Sequence, residues 1–133
     1  MRLFGLLKKL GFDRLSRRDI GKSGERIAVK FLKRKGFKIL ERNVRLSFKE
    51  FDIIAMDNEY LVFVEVKTAA SDSYGHPSEW ISPYKRKHLI NGARLYLNRN
   101  KIENTPVRFD VVTIVFDKGN YEIGYLPDAF SAD

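Results

Sequence analysis

Residues 51–67 read FDIIAMDNEYLVFVEVK. Two apolar runs, Phe51–Met56 and Tyr60–Lys67, flank the polar Asp57-Asn58-Glu59. Runs of this length around a short polar turn predict a β-hairpin. Three charged residues interrupt the apolar pattern: Asp52, Glu65 and Lys67. Strand side chains alternate between faces, so Glu65 and Lys67 share one face and Val62, Val64 and Val66 the other. With Asn58-Glu59 as the turn, Asp57 pairs with Tyr60, Ile54 with Phe63 and Asp52 with Glu65. Opposed residues lie on one face with Cβ atoms roughly 5 Å apart. Two carboxylates placed so repel each other unless a cation lies between them. Oxygen donors without sulfur or imidazole suit a hard ion such as Mg2+. The hairpin is therefore expected to be a metal site, and a register slipped by one residue would dissolve it.

Composition narrows the alternatives. A chain of 133 residues, 44% hydrophobic, is long enough for one domain with a real core. It has no cysteine, which excludes disulfides, thiolate metal sites and cysteine nucleophiles. His76 and His88 are too few for a His-rich zinc site. No apolar run approaches the roughly 20 residues of a membrane-spanning helix. The opening MRLFGLLKKLGF carries lysines within its apolar stretch and no small-residue cleavage site, so it reads poorly as a signal peptide and a cytoplasmic location is expected. The net charge is +8 and uneven. Residues 1–50 hold 16 Lys/Arg against 5 Asp/Glu, a balance of +11, and the remainder holds 9 against 12, or −3. A basic half beside an acidic site suits a polyanion gripped at one place and processed at another.

Outward from the hairpin, residues 1–20 form a basic amphipathic extension, with a short helix expected at 2–10 and Gly11 stopping it. That extension could cover part of the core, touch nucleic acid, lie on a membrane surface or fray. Gly21–Lys35 reads as a helix, with Ile27, Ala28, Phe31 and Leu32 buried and Gly36 ending it. Lys22, Arg26, Lys30 and Lys33 make a basic ridge along it. Glu25 lies at the edge of the buried stripe, either as a first-turn acid favoured by the helix dipole or as a site residue. Phe37–Arg45 reads as a strand. After Lys67 comes a polar segment, Thr68–Ile81, in which Tyr74, His76 and Trp80 could stack on bases or anchor the loop. Ser82-Pro83 caps a helix running to Asn98 or Asn100. Lys85 and Arg86 fall in its first turn, where cations oppose the dipole, so an anionic ligand or the site carboxylates are expected nearby. Val107–Phe116 and Tyr121–Leu126 read as strands joined by a turn, and 127–133 as a tail. The crossover from Val62–Lys67 through the helix makes the strand 107–116 parallel to it.

The order helix, three strands, helix, strand, with Glu25, Asp52 and Glu65-Val66-Lys67 in sequence, resembles the PD-(D/E)xK nuclease superfamily. The fuller pattern is similar to the YraN-like predicted endonucleases related to archaeal Holliday junction resolvases. It rests on Gly24-Glu25 with Ala28 and Phe31-Leu32; on Gly36, Ile39-Leu40 and Arg42-Asn43; on Glu50 through Ala55 and Val62 through Thr68; and on Gly75, Pro77 and Phe109 through Val112. The resemblance implies an α/β, restriction-endonuclease-like αβββαβ core over residues 21–126, with a mixed sheet flanked by helices. It implies a metal-dependent endonuclease for DNA, with branched or damaged DNA as candidate substrates. Asp52, Glu65 and the Val66 carbonyl would hold Mg2+ or Mn2+. Lys67 would orient or deprotonate the attacking water, and Glu25 would complete the acidic cluster. Lys22, Arg26, Lys49, Lys85 and Arg86 are the expected nucleic-acid contacts, and a resolvase-like role implies a symmetric homodimer. Relatives usually carry glycine where Lys49 stands and an arginine after the Lys-Thr pair, where this chain has Ala69 and Ala70. The competing reading is a nucleic-acid-binding module that keeps the nuclease fold without turnover.

Overall fold

The computed structural model describes residues 17–46, 49–70 and 81–132. The expected helix at 2–10 and the aromatic residues Tyr74, His76 and Trp80 lie outside the described residues. In chain order the elements are α1 (Arg17–Arg34), β1 (Lys38–Leu46), β2 (Lys49–Asp57), β3 (Tyr60–Ala70), α2 (Pro83–Arg99), β4 (Val107–Asp117) and β5 (Asn120–Phe130). The five strands form one mixed sheet in the spatial order β1-β2-β3-β4-β5. Only β3 and β4 are parallel, joined by the α2 crossover; the other neighbours are antiparallel. This is the α/β architecture that the sequence pattern predicts.

The hairpin holds the register read from its turn as far as Ile53, and the ladder stops before the expected Asp52–Glu65 pair, where the Asp52 carboxylate takes the Val66 N–H instead. Asp57 faces Tyr60, Ile54 faces Phe63 and Ile53 faces Val64. Asn58 turns the chain at φ 53°, a left-handed conformation that asparagine tolerates better than most residues. Alternation along the strands then divides the apolar residues between two layers. Ile53, Val62, Val64, Val112 and Ile114 meet Ala28 and Leu32 of α1. Ile54, Leu61, Phe63, Phe109 and Val111 meet Leu89, Ala93 and Tyr96 of α2. Burying each such Val, Leu, Ile or Phe side chain contributes about 1.5–3 kcal/mol, so the hairpin is clamped from both sides.

Both helices are seated by short-range devices. The Ser82 hydroxyl accepts the Lys85 N–H at 3.2 Å, and Pro83 occupies the first turn. Gly24 lets α1 approach β3, since a Cβ there would collide with the Thr68 methyl. That close approach accompanies the placing of Glu25 within electrostatic reach of Asp52.

Three boundaries differ from the sequence pattern by three residues or more. α1 begins at Arg17 rather than at Gly21. β3 runs through Ala70, taking three residues from the expected loop. β5 continues past Leu126 to Phe130, where residues 127–133 read as a tail. A register shift between Phe109 and Val111 absorbs Pro127 and Asp128, after which Phe130 pairs with Phe109. The Asp128 N–H donates to Asp110 at 2.9 Å, so a buried carboxylate holds the bulge in place.

That carboxylate anchors a polar cluster inside the sheet. Asp110 is 1% exposed and accepts from Arg108 Nε at 2.9 Å and from the Tyr125 hydroxyl at 2.6 Å. Arg108 also reaches Asp57 at 2.8 Å and lies over the rings of Phe37 and Tyr60. Every partner is another residue of the fold, so the cluster reads as a brace between β2, β4 and β5. Among the described residues no helix is long and apolar enough to cross a membrane.

Candidate active site

The ladder between β2 and β3 runs regularly from Asp57 to Ile53. At the next residue the side chain takes over from the backbone: Asp52 Oδ2 accepts the Val66 N–H at 2.8 Å. The two strands fork there, and the carboxylate occupies the fork. On its other side β1 brings Asn43 opposite, between the pairs Arg42–Ile53 and Val44–Phe51. Asn43 adopts φ 52°, which bends β1 at this level. With its amide nitrogen turned toward α1, Asn43 donates to Glu25 Oε1 at 2.9 Å and Oε2 at 3.2 Å.

Glu65 lies within the fork's electrostatic reach and is 8% exposed. Its Oε1 accepts from Lys85 Nζ of α2 at 2.7 Å, while Lys67 Nζ stands at 3.7 Å from the same oxygen. Asp52, Glu65, Lys67 and Lys85 thus converge from β2, β3 and α2, with Glu25 arriving from α1. The charges act on one another. Burial, then the neighbouring Glu65 charge and more weakly that of Glu25, push the Asp52 carboxyl up to about 7, against the opposing Val66 hydrogen bond. Burial and the adjacent Lys85 lower the pKa of Lys67. Burial also works against the charge on Lys85, but its hydrogen bond to Glu65 and the Glu65 and Asp52 charges outweigh this and raise its pKa.

The expected nucleic-acid contacts occupy varied settings. Lys22 and Arg26 are exposed on α1. Lys49 opens β2, and its side chain lies outside the described residues. Lys85 turns inward onto Glu65. Arg86 donates to the Ile81 carbonyl at 3.1 Å and lies over the Phe130 ring. Sequence spacing gives no sign of the Asn43–Glu25 bridge, whereas Lys85 meets one of the expected site carboxylates, Glu65. An asparagine amid a β-rich run is a weak signal for a bend. The lysine pair spans twenty residues and a loop whose path the sequence does not give.

A hard cation has a partial set of donors here. Among the described residues, no three His, Asp or Glu side chains gather closely enough to cage a metal by themselves. Mg2+ is ordinarily held by one or two carboxylates, with water and substrate phosphate filling the remaining positions. Asp52 and Glu65 fit that mode, and a cation would offset both the burial of the Asp52 carboxylate and its repulsion from Glu65. The residues therefore fit the ion.

Fold and site together define an α/β protein with an acidic and lysine-bearing centre at a strand fork. The chain matches the model of "Uncharacterised protein family UPF0102" over residues 24–114, and it belongs to that family. A UPF0102 protein of Clostridium perfringens is 43% identical over 115 residues, covering 85% of this chain and 94% of that one. One from Caldicellulosiruptor saccharolyticus is 42% identical over 118 residues, covering 87% of this chain and 100% of that one. Pyrococcus furiosus SfsA, solved in complex with Ca2+, matches 85% of this chain and 64% of its own at 16% identity and a TM-score of 0.41.

Proposed function

We propose that this chain is a metal-dependent nuclease that hydrolyses phosphodiester bonds, with DNA as its substrate. The observation that carries the reading is the fork itself: Asp52 and Glu65 converge there with Lys67, beside the buried apolar Val111 and Val112 of β4. Buried charges are costly, and a structural role would be met more cheaply by apolar side chains. The resemblance of Asp52 and Glu65-Val66-Lys67 to the PD-(D/E)xK pattern supports the same chemistry.

In this reading Asp52, Glu65 and the Val66 carbonyl hold Mg2+ or Mn2+. Such an ion supplies polarisation of a phosphoryl oxygen and a lowered pKa for water. Lys67 orients the attacking water, and burial beside Lys85 weakens its hold on its own proton. As an ammonium it offsets the charge that grows on the phosphoryl oxygens while the bond to the leaving oxygen breaks. Glu25, steadied by Asn43, closes the acidic side of the fork. The exposed Lys22 and Arg26 lie on the same helix as Glu25 and suit the phosphate backbone on either side of the cut.

The test uses Mg2+ or Mn2+ with single-stranded, duplex, flap and four-way-junction DNA, and compares wild type with Asp52→Ala and Lys67→Ala. Wild type cleaves at least one substrate, and both variants lose cleavage while retaining DNA binding. Equal residual activity in all three proteins removes the catalytic assignment. Binding without cleavage by wild type leaves the non-catalytic module as the better description.

A further inference from the structure

The nearer cation on Glu65 is not the lysine two residues along its own strand. Lys85 of α2 stands at 2.7 Å from Oε1, against 3.7 Å for Lys67. The helix that delivers Lys85 is fixed by Ser82 and Pro83 and has no acidic residue in its first turn. A lysine there faces the positive end of the helix dipole, a placement that costs roughly 0.3–1 kcal/mol unless an anion compensates. Glu65 is that anion. One oxygen of a carboxylate expected to hold a metal ion is thus already taken by an ammonium.

We infer that Lys85 is an exchangeable cation: it holds Glu65 when no divalent ion is bound, and gives the carboxylate up to the ion and its own charge to a substrate phosphate. The inference rests on the proposed metal-dependent reading of the fork. A doubly charged ion on Glu65 and an ammonium hydrogen-bonded to the same oxygen repel each other, so binding one displaces the other. Lys85 can leave without disturbing α2. Its side chain is 33% exposed and ends on a flexible four-carbon stem. The anion that replaces Glu65 as its partner is the phosphate brought in by the nucleic acid. Metal and DNA then bind cooperatively, because the ion sets free the lysine that the phosphate needs.

The consequence separates Lys85 from an ordinary surface contact. Calorimetry with Mn2+ alone, without DNA, compares wild type with Lys85→Met, Lys85→Gln and Lys85→Arg. The two neutral variants bind Mn2+ about fivefold to tenfold more tightly, since the competing ammonium is gone, while Lys85→Arg stays near wild type. A second measurement follows DNA affinity against salt. With Ca2+ present, Lys85→Met lowers the slope by about one phosphate contact relative to wild type; in EDTA the two slopes coincide. Melting curves of each variant confirm that the fold is kept. Unchanged or weaker Mn2+ binding by both neutral variants, in a wild type whose Mn2+ binding needs Asp52, overturns the exchange and leaves the nuclease reading standing. Absence of Asp52-dependent Mn2+ binding in wild type overturns both.

Discussion

Replacing Asp52 by Asn should make the metal-free protein more stable, and the gain should depend on pH. Asp52 rises from its ordinary 3.8 to about 7, through burial first and the Glu65 charge second. The folded chain therefore holds this proton more firmly than the unfolded chain does. Between about pH 4 and pH 7 the folded state binds more protons, so stability falls as pH rises through that window. Below it both states are protonated; above it both are ionised and the loss is complete. A shift of about 3 units at about 1.36 kcal/mol each corresponds to about 4 kcal/mol, and to about 2 kcal/mol where water reaches the carboxylate. Asparagine keeps an acceptor for the Val66 N–H and removes the charge. Urea denaturation in EDTA, followed by far-ultraviolet circular dichroism, should thus give nearly equal stabilities at pH 4 and an advantage of about 2–4 kcal/mol for Asp52→Asn at pH 8. A variant that is less stable than wild type at pH 8, or a difference that does not change with pH, would refute the reasoning. Added Mg2+ should reverse the order at pH 8, by stabilising wild type alone.

Three further outcomes follow from the same geometry. Lys67→Met should abolish DNA cleavage in a gel assay while leaving DNA affinity within about threefold of wild type, since its charge faces the fork rather than the α1 ridge. Arg108→Met should cost about 3–5 kcal/mol in chemical denaturation, because it strands the buried Asp110 carboxylate without its cation. Gly24→Ala should lower stability by about 1–3 kcal/mol through collision with the Thr68 methyl, and Thr68→Ser, which deletes that methyl, should recover most of the loss; an additive double variant would refute the contact.

The hairpin was legible because its signal is local. Alternation and a short polar turn set the register as far as Ile53 and Val64, and three misplaced charges mark residues that gather beyond it. The helix α2 was equally plain, since Ser82 and Pro83 mark its start by their own chemistry. The start of α1 was harder to place: residues 17–20 supply only Ile20 as an apolar mark, and Gly21 reads as a boundary. β5 hid behind Pro127, which reads as the end of a strand. On an edge strand with a bulge, proline costs no ladder bond, and Asp110 from another strand supplies the anchor. Lys85 in the first turn of α2 points to a nearby anion such as the site carboxylates, but which carboxylate it reaches depends on where the helix lands after a crossover, and spacing along the chain does not encode that landing.

The order of the sheet has a consequence for how two copies of this chain can meet. Strands β1 and β5 are its outer edges, and each is guarded against a stranger's backbone. β1 is bulged at Leu40, bent at Asn43 and lined by the exposed Lys38, Glu41, Arg42 and Arg45. β5 carries Pro127, which offers no donor, and a bulge beside it. Charge, proline and bulges are the devices by which edge strands resist adding a further strand. A continuous sheet across two molecules is thus disfavoured at both ends. Pairing of two copies would then have to run through surfaces other than the sheet edges.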